Sequence, residues 1–313
     1  MKDRLFEALK KSTADYAEVR FETNDATAIA YRGKEVDTCS SSRMTGGIVR
    51  ACVRGGWGLA VFDSLDGMVP EVDCAVIHGC DWDTHVDKAR PFVEAGKSVL
   101  IDKPIAGNAR DLEQFVAWAA DGARITGGSA LRFCNETRDY LARPAEERGT
   151  PHTVLCGCAV DEFNYGIHAY ALLSGIMGAG ITSVRHLGRG AQRRIQVNWG
   201  DGRVGLLVIG EAAGWVPFYA TITTEKGVTQ FIADSANLYR ALLEATLPYL
   251  AGETDGAPVA IRTLLESEWC ALAAQTSWID GDREVSLTEV RAGEYGYDGP
   301  AFADGYRKAK YPA

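Results

Sequence analysis

Several things are scarce in this chain. Proline occurs 10 times and methionine 4 times in 313 residues, and Lys plus Arg number 33 against 42 Asp plus Glu, a formal charge of −9. A surplus of negative charge opposes nucleic-acid binding, which is driven by basic side chains displacing counterions from phosphate. The longest apolar runs, such as 204–209, fall far short of the roughly 18 residues that a membrane span requires. The opening MKDRLFEALKKS reads as an amphipathic helix with no signal-peptide core, so the expectation is a cytoplasmic protein. The 8 cysteines include no C-x-x-C pair and no neighbouring histidine array, which opposes a zinc site. Cys74, Cys156 and Cys158 sit in apolar strands and read as buried thiols. Arg185, Arg189, Arg193 and Arg194 crowd together in VRHLGRGAQRR, a solvated loop or sheet edge rather than an anion site.

What is present falls into three rhythms. After the first helix, YAEVRFE, TAIAYRG, KEVDTCSS and GGIVRACVRGGWGLAVF alternate or run apolar between turn residues, which predicts a β-meander. From Val72 the pattern becomes strand and helix in turn: DCAVIHG, DTHVDKARPFVEAG, SVLIDKP, ARDLEQFVAWAADG and ITGGSALRF, the mark of parallel β-α-β units. Beyond Pro144 strands cluster at TVLCGCAV, SVRHLG, RRIQVNW, RVGLLVIGEA, YATITTE and GVTQFIA. Helices are expected over GIHAYALLSGIMG, 237–252 and 263–278, covering one face of an open, mostly antiparallel sheet. The fold class is therefore α/β plus α+β. The expected pieces are residues 1–66, 67–134 and 135–291, with a tail at 292–313.

Lys103 closes a strand of the parallel layer, where ligands of α/β sheets gather. Pro104 biases it to extended backbone, which aims the ammonium into a crevice. Asp102 favours the charged lysine and burial opposes it. Taken alone, a D-K-P turn is more often a surface ion pair. His168 opens an apolar helix, where the positive end of the dipole disfavours imidazolium and keeps a neutral proton acceptor. Its bland alternative is a core histidine satisfied by a carbonyl.

The run HVDKARPFVEAGKSVLIDKP, the helix YGIHAYALLSGIMG, and VNWGDGRVGLLVIG, TITTEKG and AAQTSWIDGDREVSLTEV resemble, in order, the Gfo/Idh/MocA oxidoreductases over about 72–290. The resemblance implies a Rossmann-like layer, here truncated, and a C-terminal α/β domain whose open sheet commonly makes a homodimer. It also implies NAD- or NADP-dependent redox chemistry on sugars, polyols or related small molecules. On that resemblance Lys103 and His168 are the catalytic pair, and Asn164, Tyr165, Asp102, Arg132 and Trp82 are substrate-positioning candidates. His85 and Pro104 fall on the nucleotide side. Asn164 stands where many members have an aspartate, and an amide orients a hydroxyl but takes no proton. Structural capping for His85, a cover over the helix start for Trp82 and a salt bridge for Arg132 remain open beside these roles.

The departure is a missing G-x-G-x-x-G turn and helix. The nearest segment, GGWGLAV, has Val61 where the third glycine belongs. Residues 1–64 instead resemble the N-terminal module of TldD/PmbA-type peptidases in KKSTADYAEVRFE, AYRGKEVDTCSSS and TGGIVRACVRGGWGLA; no H-E-x-x-H occurs, so peptidase activity is not implied. This module offers a surface for a protein partner. The cofactor is left open, and three functions stand: a nicotinamide oxidoreductase, a cofactor-free lyase, isomerase or hydrolase on the same scaffold, and a non-catalytic assembly protein.

Overall fold

The computed structural model describes residues 16–32, 35–53, 56–62, 67–290 and 295–310, the first three stretches by backbone alone. The helix expected over 3–11 lies outside them. The chain forms two compact units, residues 1–78 with 87–99, and residues 79–86 with 100–313.

In the first unit the expected meander is present, with fewer and longer strands than the turn residues suggested. β1 (Tyr16–Arg32) pairs antiparallel with β2 (Glu35–Val53), and β2 with β3 (Gly56–Phe62). The breaks expected inside YAEVRFETNDATAIAYR are absent, because ladder pairing runs from Tyr16↔Cys52 to Arg32↔Glu35 with one shift at Ala30/Tyr31. On its other side β1 lies parallel to β4 (Cys74–Ile77) at Val19↔Ile77. The helix α1 (His85–Glu94) follows, and Gly96 closes it with φ +70° and an N–H donated to Val93 O. β5 (Ser98–Asp102) then begins beside β4, Ser98 N donating to Asp73 O at 3.2 Å.

The second unit takes the end of β5. α2 (Ala109–Ala120) returns the chain to β6 (Ile125–Gly128), the next strand of the sheet. Asn108 caps α2 by accepting the Asp111 N–H at 2.9 Å, and Leu112, Phe115 and Val116 turn its apolar face inward. Gly127 lets β6 approach β5 closely: a β-carbon there would stand 2.0 Å from Ile101 O. That approach fixes where the next residues, Gly128 and Ser129, leave the sheet.

The remaining strands form one seven-stranded sheet in the order β12-β11-β7-β10-β9-β8-β13. They are β7 (Thr153–Gly157), β8 (Ile181–Arg189), β9 (Arg193–Trp199), β10 (Val204–Ile209), β11 (Tyr219–Thr224), β12 (Gly227–Ile232) and β13 (Glu284–Ser286). β7 and β10 run parallel, and β8·β9, β9·β10, β7·β11, β11·β12 and β8·β13 antiparallel. Strict alternation of buried and half-buried residues along β10 and β11 gives the sheet one covered face. That cover includes α4 (Gly166–Met177) and α6 (Glu266–Ile279), almost wholly buried, while α3 (Asn135–Ala142), α5 (Leu238–Leu250) and α7 (Gly299–Lys310) complete the longer helices. Ser277 Oγ of α6 ties the helix to the sheet by accepting the His186 N–H at 2.9 Å. No helix among the described residues is long and apolar enough to cross a membrane.

Candidate active site

The end of β5 and the start of α4 meet within the second unit. Lys103 Nζ donates to Asn164 O at 2.8 Å and to Asn164 Oδ1 at 3.0 Å, and it stands 5.4 Å from the centre of the Tyr165 ring. The Lys103–Pro104 peptide is cis. Burial pushes the Lys103 ammonium below its ordinary range, against the opposing charges of Asp102 and Asp161. An ammonium has three protons. Two are engaged by Asn164, so the third is the one free to move.

Asp161 builds the loop that presents Asn164. Its Oδ1 accepts the N–H groups of Phe163 at 2.9 Å and Tyr165 at 3.0 Å, so the chain turns sharply before α4. His168, half-buried in the first turn of that helix, has its pKa pushed down to about 3, by burial first and by the Lys103 charge second, with Asp102 opposing. It is a neutral imidazole at any physiological pH. Its Nδ1 lies 2.7 Å from Ser129 Oγ, at the end of β6, and its ring meets Phe218 edge to face at 5.0 Å. Tyr165 and the exposed Trp215 also pack on Phe218, at 6.5 and 6.0 Å between ring centres.

The other sequence candidates fall in different places. Asp102 is half-buried beside Lys103, where its charge acts on both Lys103 and His168. Pro104 is buried. Arg132 is not at this site: it is 6% exposed, donates to Ser174 Oγ and to Thr263 O at 3.4 Å, and feels Glu268 and Glu266. The guanidinium is held by a hydroxyl and a carbonyl, and Glu268 and Glu266 act on it through their charge. Trp82 is 2% exposed, with its indole N–H donated to Tyr297 O at 2.8 Å and its ring against Phe163 and Phe302, both at 5.0 Å. His85 is fully buried, with Nδ1 3.0 Å from Ile105 O and Nε2 3.2 Å from Gly79 O. Both ring nitrogens face carbonyls of the protein itself, and the ring's N–H donates to one of them.

Ser129, Asp161, Phe218, Glu268 and Tyr297 were not among the sequence candidates. Ser129 had a usable signal, since it ends a parallel strand just as Lys103 does. Glu268, 1% exposed, holds the turn after Lys103-Pro104 by accepting the Ile105 N–H at 3.2 Å. Tyr297 stacks on Phe163 with ring centres 3.9 Å apart and planes 2° apart, directly before Asn164. Nothing local in the sequence marks either contact, because each joins residues more than a hundred positions apart.

The arginines of β8 and β9 do not lie on a sheet edge, since each of these strands is paired on both sides. Arg193 Nε donates to Glu162 Oε1 at 3.1 Å, and Arg185 Nε donates to Asp282 O at 3.0 Å. Cys134, Cys156, Cys158 and Cys270 are buried free thiols, Cys74 is half-buried and Cys80 exposed. Burial pushes the Cys158 thiol up to about 12, so it stays protonated. No group of three or more His, Cys, Asp or Glu that can hold a metal occurs among the described residues.

A dinucleotide needs more than these residues. In a Rossmann layer the strand beside β4 runs into a glycine turn and a helix whose N-terminus receives the pyrophosphate. Here that place belongs to β1, which reaches its antiparallel partner β2 across residues 33–34, too short a connection for a helix. Within the first unit the strand order β3-β2-β1-β4 ends in a meander of its first three strands. Gly56 and Gly58 of GGWG lie in β3, paired to Val53 and Ala51. The first unit therefore does not fit the phosphates of NAD or NADP as a Rossmann fold does.

Residues 49–126 match the profile of the oxidoreductase family with an NAD-binding Rossmann fold (GFO_IDH_MocA), beginning upstream of Val72, and residues 17–76 match PmbA/TldA metallopeptidase domain 1. The two matches overlap on 49–76. Among solved structures, a probable dehydrogenase from Thermotoga maritima superposes with TM-score 0.64 at 15% identity, covering 73% of this chain and 86% of that one. Scyllo-inositol dehydrogenase from Lactobacillus casei, with bound NAD(H) and scyllo-inositol, gives TM-score 0.60 at 16% identity over 72% and 84%. A putative myo-inositol dehydrogenase from Sinorhizobium meliloti gives 0.61 at 17% over 72% and 84%. A metalloprotease of Synechocystis is 35% identical over 66 residues, 21% of this chain and only 14% of the relative's length. The chain thus resembles the Gfo/Idh/MocA oxidoreductases in its parallel layer and large sheet, and PmbA/TldD domain 1 in the meander ahead of them.

Proposed function

We propose that this chain is an enzyme on an oxidoreductase-like scaffold, acting on a small hydroxylated or carbonyl compound such as a sugar, a polyol or a related keto or imino compound. Lys103 and His168 carry the acid–base chemistry at one substrate oxygen, and Asn164 and Tyr165 position them. The observation that supports this most is the grip of Asn164 on two protons of Lys103 beside a neutral His168. Burial favours the neutral amine of Lys103, the form that accepts a proton, beside a His168 that stays neutral. The aromatic groups Tyr165, Phe218 and Trp215 suit the C–H face of a ring.

A second reading has an observation of its own. The meander that stands where a phosphate-binding helix belongs favours proton transfer without redox, as in isomerisation or elimination. One experiment separates the two. A panel of sugars, inositols and their keto derivatives is incubated in D2O with and without NAD+ or NADP+, and followed by proton NMR, beside calorimetric titration with NADH and NADPH. Turnover that needs added nucleotide supports the oxidoreductase; deuterium entry or elimination without it supports the second reading. Turnover undiminished in Lys103→Met sinks both.

A further inference from the structure

The hydrogen bond between Ser129 and His168 carries information about the proton on the imidazole. Ser129 is 3% exposed, and its Oγ has two neighbours: it accepts the Leu131 N–H at 3.2 Å, and it lies 2.7 Å from His168 Nδ1. A hydroxyl has one proton to give and two lone pairs to offer. If Nδ1 carried the imidazole proton, both lone pairs of Oγ would be taken and the buried hydroxyl proton would have no acceptor. If Nδ1 is bare, the hydroxyl proton goes to Nδ1, one lone pair takes the Leu131 amide, and each of these groups is satisfied. His168 is neutral, so its single proton then resides on Nε2.

We infer that Ser129 is a positioning residue that fixes His168 as the Nε2–H tautomer, so that His168 presents a hydrogen-bond donor to the substrate oxygen and Lys103 is the group that accepts or returns the proton. This rests on the proposed function and divides its labour. A neutral imidazole that donates from Nε2 polarises a carbonyl or holds a hydroxyl without taking its proton. Lys103 fits the remaining role: with two protons held by Asn164 O and Oδ1, losing the third leaves its lone pair as the free position. This assigns to Lys103 the proton-accepting role that the sequence reading gave to His168.

The test reads the tautomer without any substrate. Full-length protein labelled with 15N-histidine is recorded by two-bond proton–nitrogen correlation near pH 7, with His168→Gln assigning the signal among the 5 histidines. The expected pattern has Nδ1 unprotonated and Nε2 protonated, as a single form. An Nδ1–H pattern, an even mixture of tautomers or a doubly protonated ring overturns the inference. Ser129→Ala is expected to give a mixture, and Ser129→Thr to restore the single form. If Ser129→Ala fails to fold, the wild-type spectrum still decides. A chain that turns over no compound in the panel while showing the Nε2–H pattern refutes the proposed function alone, and turnover with the Nδ1–H pattern refutes this inference alone.

Discussion

Replacing Asn164 by aspartate places a carboxylate where the amide oxygen now sits, 3.0 Å from Lys103 Nζ. Two opposite unit charges about 4 Å apart attract by about 4 kcal/mol at an effective dielectric of about 20. Lys103 is half-buried, and solvent screening reduces this to about 1–3 kcal/mol. At 1.36 kcal/mol per unit the lysine of the variant titrates about one to two pH units higher than in the wild type. The sign follows from which form gains: the carboxylate favours the ammonium, so less neutral amine exists near pH 7. A rate that depends on neutral Lys103 therefore falls about ten- to a hundredfold at that pH, and its basic limb moves up with the lysine. The assay is a pH titration of the Lys103 side chain by 13C NMR, in protein labelled at the lysine ε-carbon, with Lys103→Met assigning the signal. An unchanged or lowered midpoint refutes the geometry, because it means the side chain at 164 does not face Nζ.

Other perturbations test the frame around the site. Trp82→Phe removes the indole donor to Tyr297 O and leaves a cavity beside Phe302, and is expected to cost about 2–4 kcal/mol in denaturant unfolding. Arg132→Met removes the buried hydrogen bonds to Ser174 Oγ and Thr263 O, so the expected result is destabilisation by about 1–3 kcal/mol, read by chemical denaturation. Burial pushes the Glu268 carboxyl above its ordinary range, which means the fold prefers its protonated form. Its contribution to stability is complete below the unfolded carboxylate pKa of about 4.3 and is lost as pH rises through the higher folded value. Glu268→Gln removes that dependence, so wild-type stability minus variant stability falls as pH rises from about 4, measured by denaturant midpoints across pH.

Much of the scaffold is legible in the residues, and the reason is periodicity. In β10 and β11 buried residues alternate with half-buried ones, the period of two that the sequence carries, while β12 buries none of its residues. GIHAYALLSGIMG is a helix that ends at Gly178 with φ +76°. The meander is legible in kind only: TNDAT reads as a turn by propensity, yet Thr23 to Thr27 stay in the ladder because β2 pairs with them throughout. Pairing across strands overrides local turn preference there. At the site, the strand end marks Lys103 and the helix start marks His168, but it is the resemblance to the Gfo/Idh/MocA oxidoreductases that singles out these two and Asn164. Arg132 is the instructive case: it follows a strand end too, but its side chain enters the core between α4 and the segment leading into α6. Only three-dimensional packing distinguishes it from Ser129, three residues earlier, whose hydroxyl reaches His168. Trp82 and Glu268 are held by backbone groups distant in sequence, which no spacing rule reports.

The account stands on Lys103 and His168 sharing one electrostatic environment, and the titration of His168 in wild type and in Lys103→Met tests this directly. Proton NMR of the imidazole Cε1–H is expected to show no titration in the wild type until pH falls toward about 3, since burial and the Lys103 charge both oppose the imidazolium. In Lys103→Met, with the charge gone and the burial kept, the midpoint moves upward. A wild-type midpoint near the ordinary histidine value of about 6.5, or identical midpoints in the two proteins, contradicts it.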